Sequence, residues 1–536
     1  MTPKPAPFRT HKERTRLSPA TRREFLKALA AAGACAAAGV RAQVNPRPRF
    51  TADPFSLGVA SGYPLPAGMV LWTRLAPAPD EADGGMGREI VPVRWELATD
   101  EAMREVVASG SAEAAPEWGH SVHVEPQGLA ADRPYWYRFS AGAAQSAVGR
   151  TRTAPAADAA PARLRFAFAS CQQYEQGYYG AYRHIVADEP DFIAFLGDYI
   201  YESSWGSRHV RKHSGGEPYT LEDYRVRYAL YKSDPDLQAA HRACPWLVTW
   251  DDHEVDNDYA DDKSEDGMPR ERFLARRAAA YRAYYEHMPL PARMRPDGAQ
   301  MKIYTRVDWG RLASVHLLDD RQYRSHEACS RRPAGGGSNV VDAAECAALA
   351  DPARTMLGAG QEAWLDAALA NARSGWNVIA QQTLMAQLDR RPGAGKRVWT
   401  DGWDGYPAAR RRLLESVAAR KPSNPVVIGG DVHAHWVADL KSDFDDPPSP
   451  VVASEFCGTS ITSQGPSQKM VEAALAENPH LKYGRGDRRG YVRVEIKPKQ
   501  LSADLRAMES VQTRDAACST LASFIVADGR PGPQKA

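Results

Sequence analysis

Between Phe50 and Thr153 apolar residues recur in short runs, at 69–73, 91–97, 121–125 and 135–139, separated by turn-rich stretches without helical periodicity. Runs of this length and spacing predict strands, and strands without intervening helices predict a β-sandwich. The stretch 128–139 is similar to the fibronectin type III pattern, in which a Leu precedes a turn and a Tyr-rich strand. An Ala- and Pro-rich segment at 154–162 reads as a linker. After it the pattern changes: apolar runs at 164–169, 192–196, 245–250, 376–380 and 426–428 alternate with helical segments, which predicts an α/β core. Two insertions, about 203–242 and 263–296, interrupt that core. The Ala, Arg and aromatic content of 271–285 predicts a surface helix. The insertions are expected either to roof the site, with the aromatic stretch Trp205 to Tyr231 as a lid or lipid-facing rim, or to pack on the core.

The first 42 residues carry a different pattern. Arg22-Arg23-Glu24-Phe25-Leu26-Lys27 is followed by a mildly apolar Ala/Gly run and a small-residue cleavage site at Val40-Arg41-Ala42. This is the form of a twin-arginine export signal, and its apolar run is well short of the ~20 residues that span a bilayer. The expected organisation is a signal peptide at 1–42, an N-terminal sandwich at 43–155 and a catalytic domain at 156–530. Without the leader the balance is 59 Lys/Arg against 64 Asp/Glu, about −5, so the basicity of the precursor resides in the leader and no nucleic-acid surface is indicated. Export by this route implies contact with the twin-arginine translocase and a periplasmic or secreted protein folded, with its metal, before crossing. Of the seven Cys, Cys329 and Cys346 are the best disulfide candidates, flanking a Gly/Ala-rich loop.

Four apolar runs end in potential metal ligands. Residues 164–169 lead into Ser170-Cys171-Gln172, 192–196 into Gly197-Asp198-Tyr199-Ile200-Tyr201-Glu202, 245–250 into Asp251-Asp252-His253-Glu254, and 426–428 into Gly429-Gly430-Asp431-Val432-His433-Ala434-His435. In an α/β sheet the carboxyl ends of strands share one crevice. Adjacent carboxylates at buried strand ends cost several kcal/mol unless a cation compensates. Convergence on a metal centre is therefore the expectation. His433 and His435, two residues apart, would face opposite sides of an extended segment, so only one is expected to ligate.

These motifs, with Leu318-Asp319-Asp320-Arg321-Gln322-Tyr323-Arg324, resemble in order those of the PhoD-like alkaline phosphatase and phosphodiesterase family. The resemblance implies a four-layer calcineurin-like metallophosphoesterase β-sandwich with helices, preceded by a fibronectin III- or Ig-like sandwich, and a site holding Fe(III) and Ca2+. It implies Cys171, Asp198, Tyr201 and His433 around the iron. Asp198, Asp252 and Asp431 fall on the calcium side, with Asn257 and Gln381 or Gln382 as further candidates. Thiolate and phenolate donors suit a ferric ion, and carboxylate and amide oxygens suit calcium. The implied reaction is phosphate ester hydrolysis by a metal-activated hydroxide, with Asp252 and His253 as catalytic residues and His253 protonating the leaving oxygen. Monoester and diester substrates, phospholipids included, stay open, as does a phospholipase D-like phosphodiesterase. A reading of another class is a secreted calcium-stabilised binding protein with a decayed site. An exported iron oxidoreductase is disfavoured, because no dinucleotide loop or iron–sulfur Cys spacing occurs.

Overall fold

The computed structural model describes residues 43–330 and 336–536; the expected leader lies outside the described residues. Its centre is built by the continuous apolar runs. Leu164–Ala169, Phe192–Leu196 and Trp246–Thr249 pair in parallel, with Phe192 opposite Phe166 and Ile193 opposite Trp246. All their residues are buried except the half-buried Arg165. Parallel strands covered on both faces have no polar side, which is why these runs lack alternation.

Four antiparallel strands, Gly490–Lys497, Gln500–Met508, Cys518–Ala527 and Arg530–Lys535, extend one flank, and Val59–Leu65, Gly68–Arg74 and Ser121–Val124 extend the other to make a ten-stranded sheet. A seven-stranded sheet packs against it, in the order Thr305–Trp309, Ala313–Leu317, Trp376–Ala380, Pro425–Gly429, Val451–Cys457, His435–Lys441 and Leu481–Arg485. Side-chain alternation shows the layering. Val378, Ala380, Val426 and Ile428 join the core shared with the ten-stranded sheet. Ile379 and Val427 point the other way, into a core with Leu365, Leu369, Leu414 and Val417 of the helices Gly358–Ala370 and Pro407–Arg420. Two sheets face to face with helices outside form the mixed α/β architecture.

The N-terminal strands form a sandwich with an added feature. Val91–Ala98, Val106–Ala114, Pro134–Ala141, Ala144–Gln145 and Gly149–Arg152 make a five-stranded sheet. Its inward residues Val93, Leu97, Tyr137 and Phe139 pack on Val59, Met69, Leu71 and Val122 of the opposing strands. Those opposing strands are the end of the ten-stranded sheet, joined through the parallel pairing of Gly62 with Trp246. At that seam a Cβ on residue 62 would lie 2.6 Å from the Pro289 carbonyl oxygen and 2.8 Å from that of Trp246. Both obstacles are backbone, so Gly62→Ala is expected to lower unfolding free energy by roughly 1–3 kcal/mol. Urea unfolding checks this; an unchanged midpoint would show that the seam carries no strain.

The segment 271–285 does form a helix, Arg270–His287, but it is not a surface element: ten of its residues are buried, among them Arg276, Arg277 and Glu286. Their charges are matched by partners distant in sequence. Arg276 binds Asp256 at 2.8 Å and Glu217 at 2.7 Å, and Glu286 holds Arg225 at 2.7 Å. Counting charged residues as exposed therefore misplaces this helix. The helix Leu221–Lys232 likewise buries Tyr224, Tyr228 and Tyr231 in the core, so most of the aromatic insertion packs rather than roofs. Cys329 and Cys346 are disulfide-bonded. Among the described residues no helix is long and apolar enough to cross a membrane.

Candidate metal centre

Cys171, Asp198, Asp251 with Asp252, and Asp431 with His433 follow four strands, Leu164–Ala169, Phe192–Leu196, Trp246–Thr249 and Pro425–Gly429. The first three strands belong to the ten-stranded sheet and the fourth to the seven-stranded one, so the ligand-bearing loops face one another across the sandwich. Four of these residues turn sharply: Cys171, Asp198, Asp431 and His433 have φ of 59°, 59°, 63° and 51°. Such left-handed non-glycine conformations cost of order 1–3 kcal/mol each and persist only where surroundings enforce them. Glu254 supplies part of that enforcement, its carboxylate accepting from the backbone N–H of Asp198 at 3.1 Å, Tyr199 at 2.6 Å and Asp251 at 2.8 Å. Arg489 braces the opposite loop, donating to the His433 carbonyl at 2.9 Å and the Ser463 carbonyl at 2.6 Å.

Around one centre stand Cys171, Asp198, Tyr201 and His433. A ligating atom of Cys171, one of Asp198 and one of His433 lie within 4.8 Å of one another. Tyr201 Oη donates to Asp198 Oδ2 at 2.7 Å and lies 3.2 Å from His433 Nε2. His433 Nδ1 is 2.7 Å from the Gln464 carbonyl, which makes Nδ1 the protonated nitrogen and leaves Nε2 facing the centre. Ser463 Oγ lies 2.8 Å from both Tyr201 Oη and the Cys171 carbonyl. Cys171 itself is free and buried.

A second group shares Asp198. Ligating atoms of Asp198, Asp252 and His253 also fall within 4.8 Å of one another, and those of Asp252, Asp258 and Asp401 do the same on the far side. Asn257 lines the cavity; its Nδ2 donates to Glu265 at 3.1 Å, which leaves its amide oxygen as the donor for a cation. His253 Nδ1 is 2.7 Å from Glu202 Oε2, so its Nε2 is left for the cavity. The buried Arg321 sits behind this group, paired with Asp251 and, at 2.8 Å, with Asp401, and 3.6 Å from Asp252. One oxygen of Asp251 is thereby paired with an arginine, its Oδ2 having no hydrogen-bond partner among the described residues, while Asp252 faces the cavity.

The electrostatics favour a cation. Asp198 Oδ1 and Asp431 Oδ2 are enclosed and have no hydrogen-bond partner among the described residues. Burial, and then the neighbouring carboxylates, push Asp198 and Asp431 well above the usual carboxylate range. Burial and then Asp198 push the Cys171 thiol and the Tyr201 phenol up as well. Burial and Arg489 push His433 down to about 3, so its imidazole is neutral and able to ligate. Burial would lower His253, but Glu202, Asp252 and Asp198 outweigh it and hold the imidazolium well above its ordinary range. Orphaned carboxylate oxygens beside thiol, phenol and imidazole donors fit a bound metal.

The other candidates divide. Gln381 accepts from the Thr383 backbone and from Trp403 Nε1, and Gln382 donates to Thr249, Trp250 and Leu318, so both amides hold loops together. His435 points into the protein, its Nδ1 accepting from the Thr459 backbone. Trp205 alone of the aromatic insertion borders the cavity, stacked on His433 with centroids 5.7 Å apart. Sequence reading passed over Glu202, Arg321, Asp258, Asp401 and Ser463. Glu202 and Arg321 lie inside quoted motifs and were legible as candidates there; Asp401 and Ser463 carry no sequence signal. Asp198, Trp205, Asp252, His253, Asp431 and His433 line a cavity of about 760 Å³.

A family model described as PhoD-like phosphatase matches residues 166–505, and one described as PhoD-like phosphatase, N-terminal domain, matches residues 38–155. The chain is 46% identical over 501 residues to alkaline phosphatase D of Bacillus subtilis (strain 168), covering 92% of this chain and 84% of that protein. A solved structure of PhoD superposes with a TM-score of 0.86 at 45% identity, covering 91% of this chain and 93% of the other.

Proposed function

The chain belongs to the PhoD-like phosphatase family and is a metal-dependent phosphoric ester hydrolase, and from that premise we propose how its own residues divide the work. Cys171, Asp198, Tyr201 and His433 hold Fe(III), and Asp198, Asp252, Asn257 and Asp431 hold Ca2+. The observation that carries this division is the donor chemistry: thiol, phenol and the neutral imidazole of His433 meet on one side of Asp198, and carboxylate and amide oxygens, beside the protonated His253, on the other. Bound metal supplies charge neutralisation at the phosphoryl oxygens and acidification of water.

The protein's part is positional. Glu202 orients His253, whose retained proton is available to the leaving oxygen. Ser463 and Arg489 keep Tyr201 and the His433 loop in place. Trp205 covers the His433 face against solvent. Asp252, held by the backbone N–H of Asp258 at 2.7 Å and of His253 at 2.8 Å, keeps its carboxylate ionised beside Arg321. We place the mature enzyme outside the cytoplasm after twin-arginine export; the Arg22-Arg23 motif and the Cys329–Cys346 disulfide, a bond favoured in oxidising compartments, support that location.

The test combines elemental analysis, a visible spectrum and assays on p-nitrophenyl phosphate and bis-p-nitrophenyl phosphate. We expect iron and calcium in the purified protein, a phenolate-to-iron charge-transfer band that Tyr201→Phe abolishes, and hydrolysis that chelation removes. A colourless active enzyme would refute the ferric ligand set, and inertness toward both esters after metal loading would leave the decayed binding protein instead.

A further inference from the structure

Val432 stands between Asp431 and His433, yet it also walls a second cavity, separate from the one above. The two cavities share Arg390, Val432 and Pro466. The second is smaller, about 180 Å³, and is lined chiefly by Leu388, Trp436, Met470, Val471 and Ala474. Consecutive residues of a loop project to different sides, so Asp431 and His433 can serve one cavity while Val432 serves the other.

Two features mark the small cavity as more than a packing gap. Met470, at its edge, is 60% exposed, a rare state for a large apolar side chain among the described residues. It lies on the helix Gln468–Glu477, which buries only Val471. An exposed, flexible thioether beside an apolar hollow suits a variable apolar ligand. At the shared wall the exposed Arg390 has no side-chain hydrogen-bond or ion-pair partner among the described residues and its guanidinium lies 5.8 Å from the Trp399 ring centroid. A cation at the junction of an apolar lobe and the catalytic cavity matches an ester that presents an anionic phosphate and an apolar substituent together.

We propose that this lobe is a substrate subsite that receives a short apolar substituent of the phosphate ester, with Arg390 as a binding residue for the phosphate at its entrance. The proposal rests on the phosphoesterase reading and deepens it. The size of the lobe sets an upper bound on the substituent, a short alkyl chain rather than a whole lipid tail.

The test uses the metal-loaded full enzyme with a series of alkyl p-nitrophenyl phosphates, methyl through dodecyl, and a parallel series of n-alkyl phosphates followed by phosphate release. We expect kcat/KM to rise by about fourfold per methylene over the first few carbons and then level off as the lobe fills. A rise in the diester series assigns the lobe to the retained substituent, and a rise in the monoester series assigns it to the leaving group; either supports the subsite. Ala474→Phe, which fills the lobe, is expected to flatten the slope, with its circular dichroism and unfolding midpoint reporting that the variant is folded. Arg390→Gln is expected to raise KM about tenfold for esters of every chain length, with kcat changing less. A flat profile in both series, or a slope untouched by Ala474→Phe, overturns the subsite while leaving the phosphoesterase reading intact. No hydrolysis of either methyl p-nitrophenyl phosphate or methyl phosphate by the wild-type enzyme removes that reading and the subsite with it.

Discussion

Asp198→Asn is expected to lower kcat/KM for p-nitrophenyl phosphate by on the order of 10³-fold, because it removes the one charged group that both proposed metal positions share. Ligating atoms of Asp198 stand with those of Cys171 and His433 on one side and with those of Asp252 and His253 on the other. Its Oδ2 accepts from Tyr201 and its Oδ1 has no partner among the described residues. Asparagine preserves the size and one acceptor oxygen but brings a neutral amide to a position suited to an anion. The loss is therefore expected to appear as metal content as well as rate: iron and calcium per chain should fall together. Elemental analysis of the variant separates this from misfolding, provided its circular dichroism and unfolding midpoint stay near those of the wild type. A folded variant with full metal content and wild-type kcat/KM would remove Asp198 from the bridging role.

The second large effect is expected at His253. His253→Ala should reduce kcat by roughly 10²- to 10⁴-fold with little change in KM, the signature of a group that acts on the proton of the leaving oxygen. Glu202→Gln gives the diagnostic. Burial opposes the imidazolium of His253, but Glu202 is the largest of the charges that raise it, ahead of Asp252 and Asp198. A neutral amide at 202 withdraws that support, so His253 loses its proton at lower pH. If protonated His253 is the acid, activity is present below its pKa and lost as pH rises through it. The alkaline limb of the kcat profile should then move to lower pH in Glu202→Gln. A limb that stays in place, with a uniformly lower rate, would make Glu202 and His253 structural supports instead.

Much of this site was legible before any coordinate, for a local reason. A strand running into the crevice delivers whatever follows it, so Cys171, Asp198, Asp252, Asp431 and His433 could be named from apolar runs ending in donor residues. The structure brings these strand ends together. The fold class followed from the same signal, since parallel strands covered on both faces leave continuous apolar runs.

What sequence pattern misread shares one cause: periodicity reports which face of an element is apolar and says nothing of the charge that meets a polar face. The helix Arg270–His287 reads as a surface helix because Arg276 and Glu286 look exposed, and only the fold shows Asp256 and Arg225 waiting for them. The candidates Gln381 and Gln382 follow a strand as the metal donors do, and only the fold shows their amides hydrogen-bonded to Thr383 and Trp403 and to Thr249, Trp250 and Leu318.

By itself, then, the sequence marked the core strands and the α/β class and named candidate donor residues, because each depends on neighbours within a few positions. Only the tertiary structure decided which carboxylates reach the cavity. Asp251 and Asp252 are adjacent and chemically identical, yet Asp251 is paired with Arg321, seventy residues away, while Asp252 lines the cavity. Pairing, access to solvent and the shape of a cavity depend on atoms that the chain brings together from remote positions, and no local pattern records that meeting.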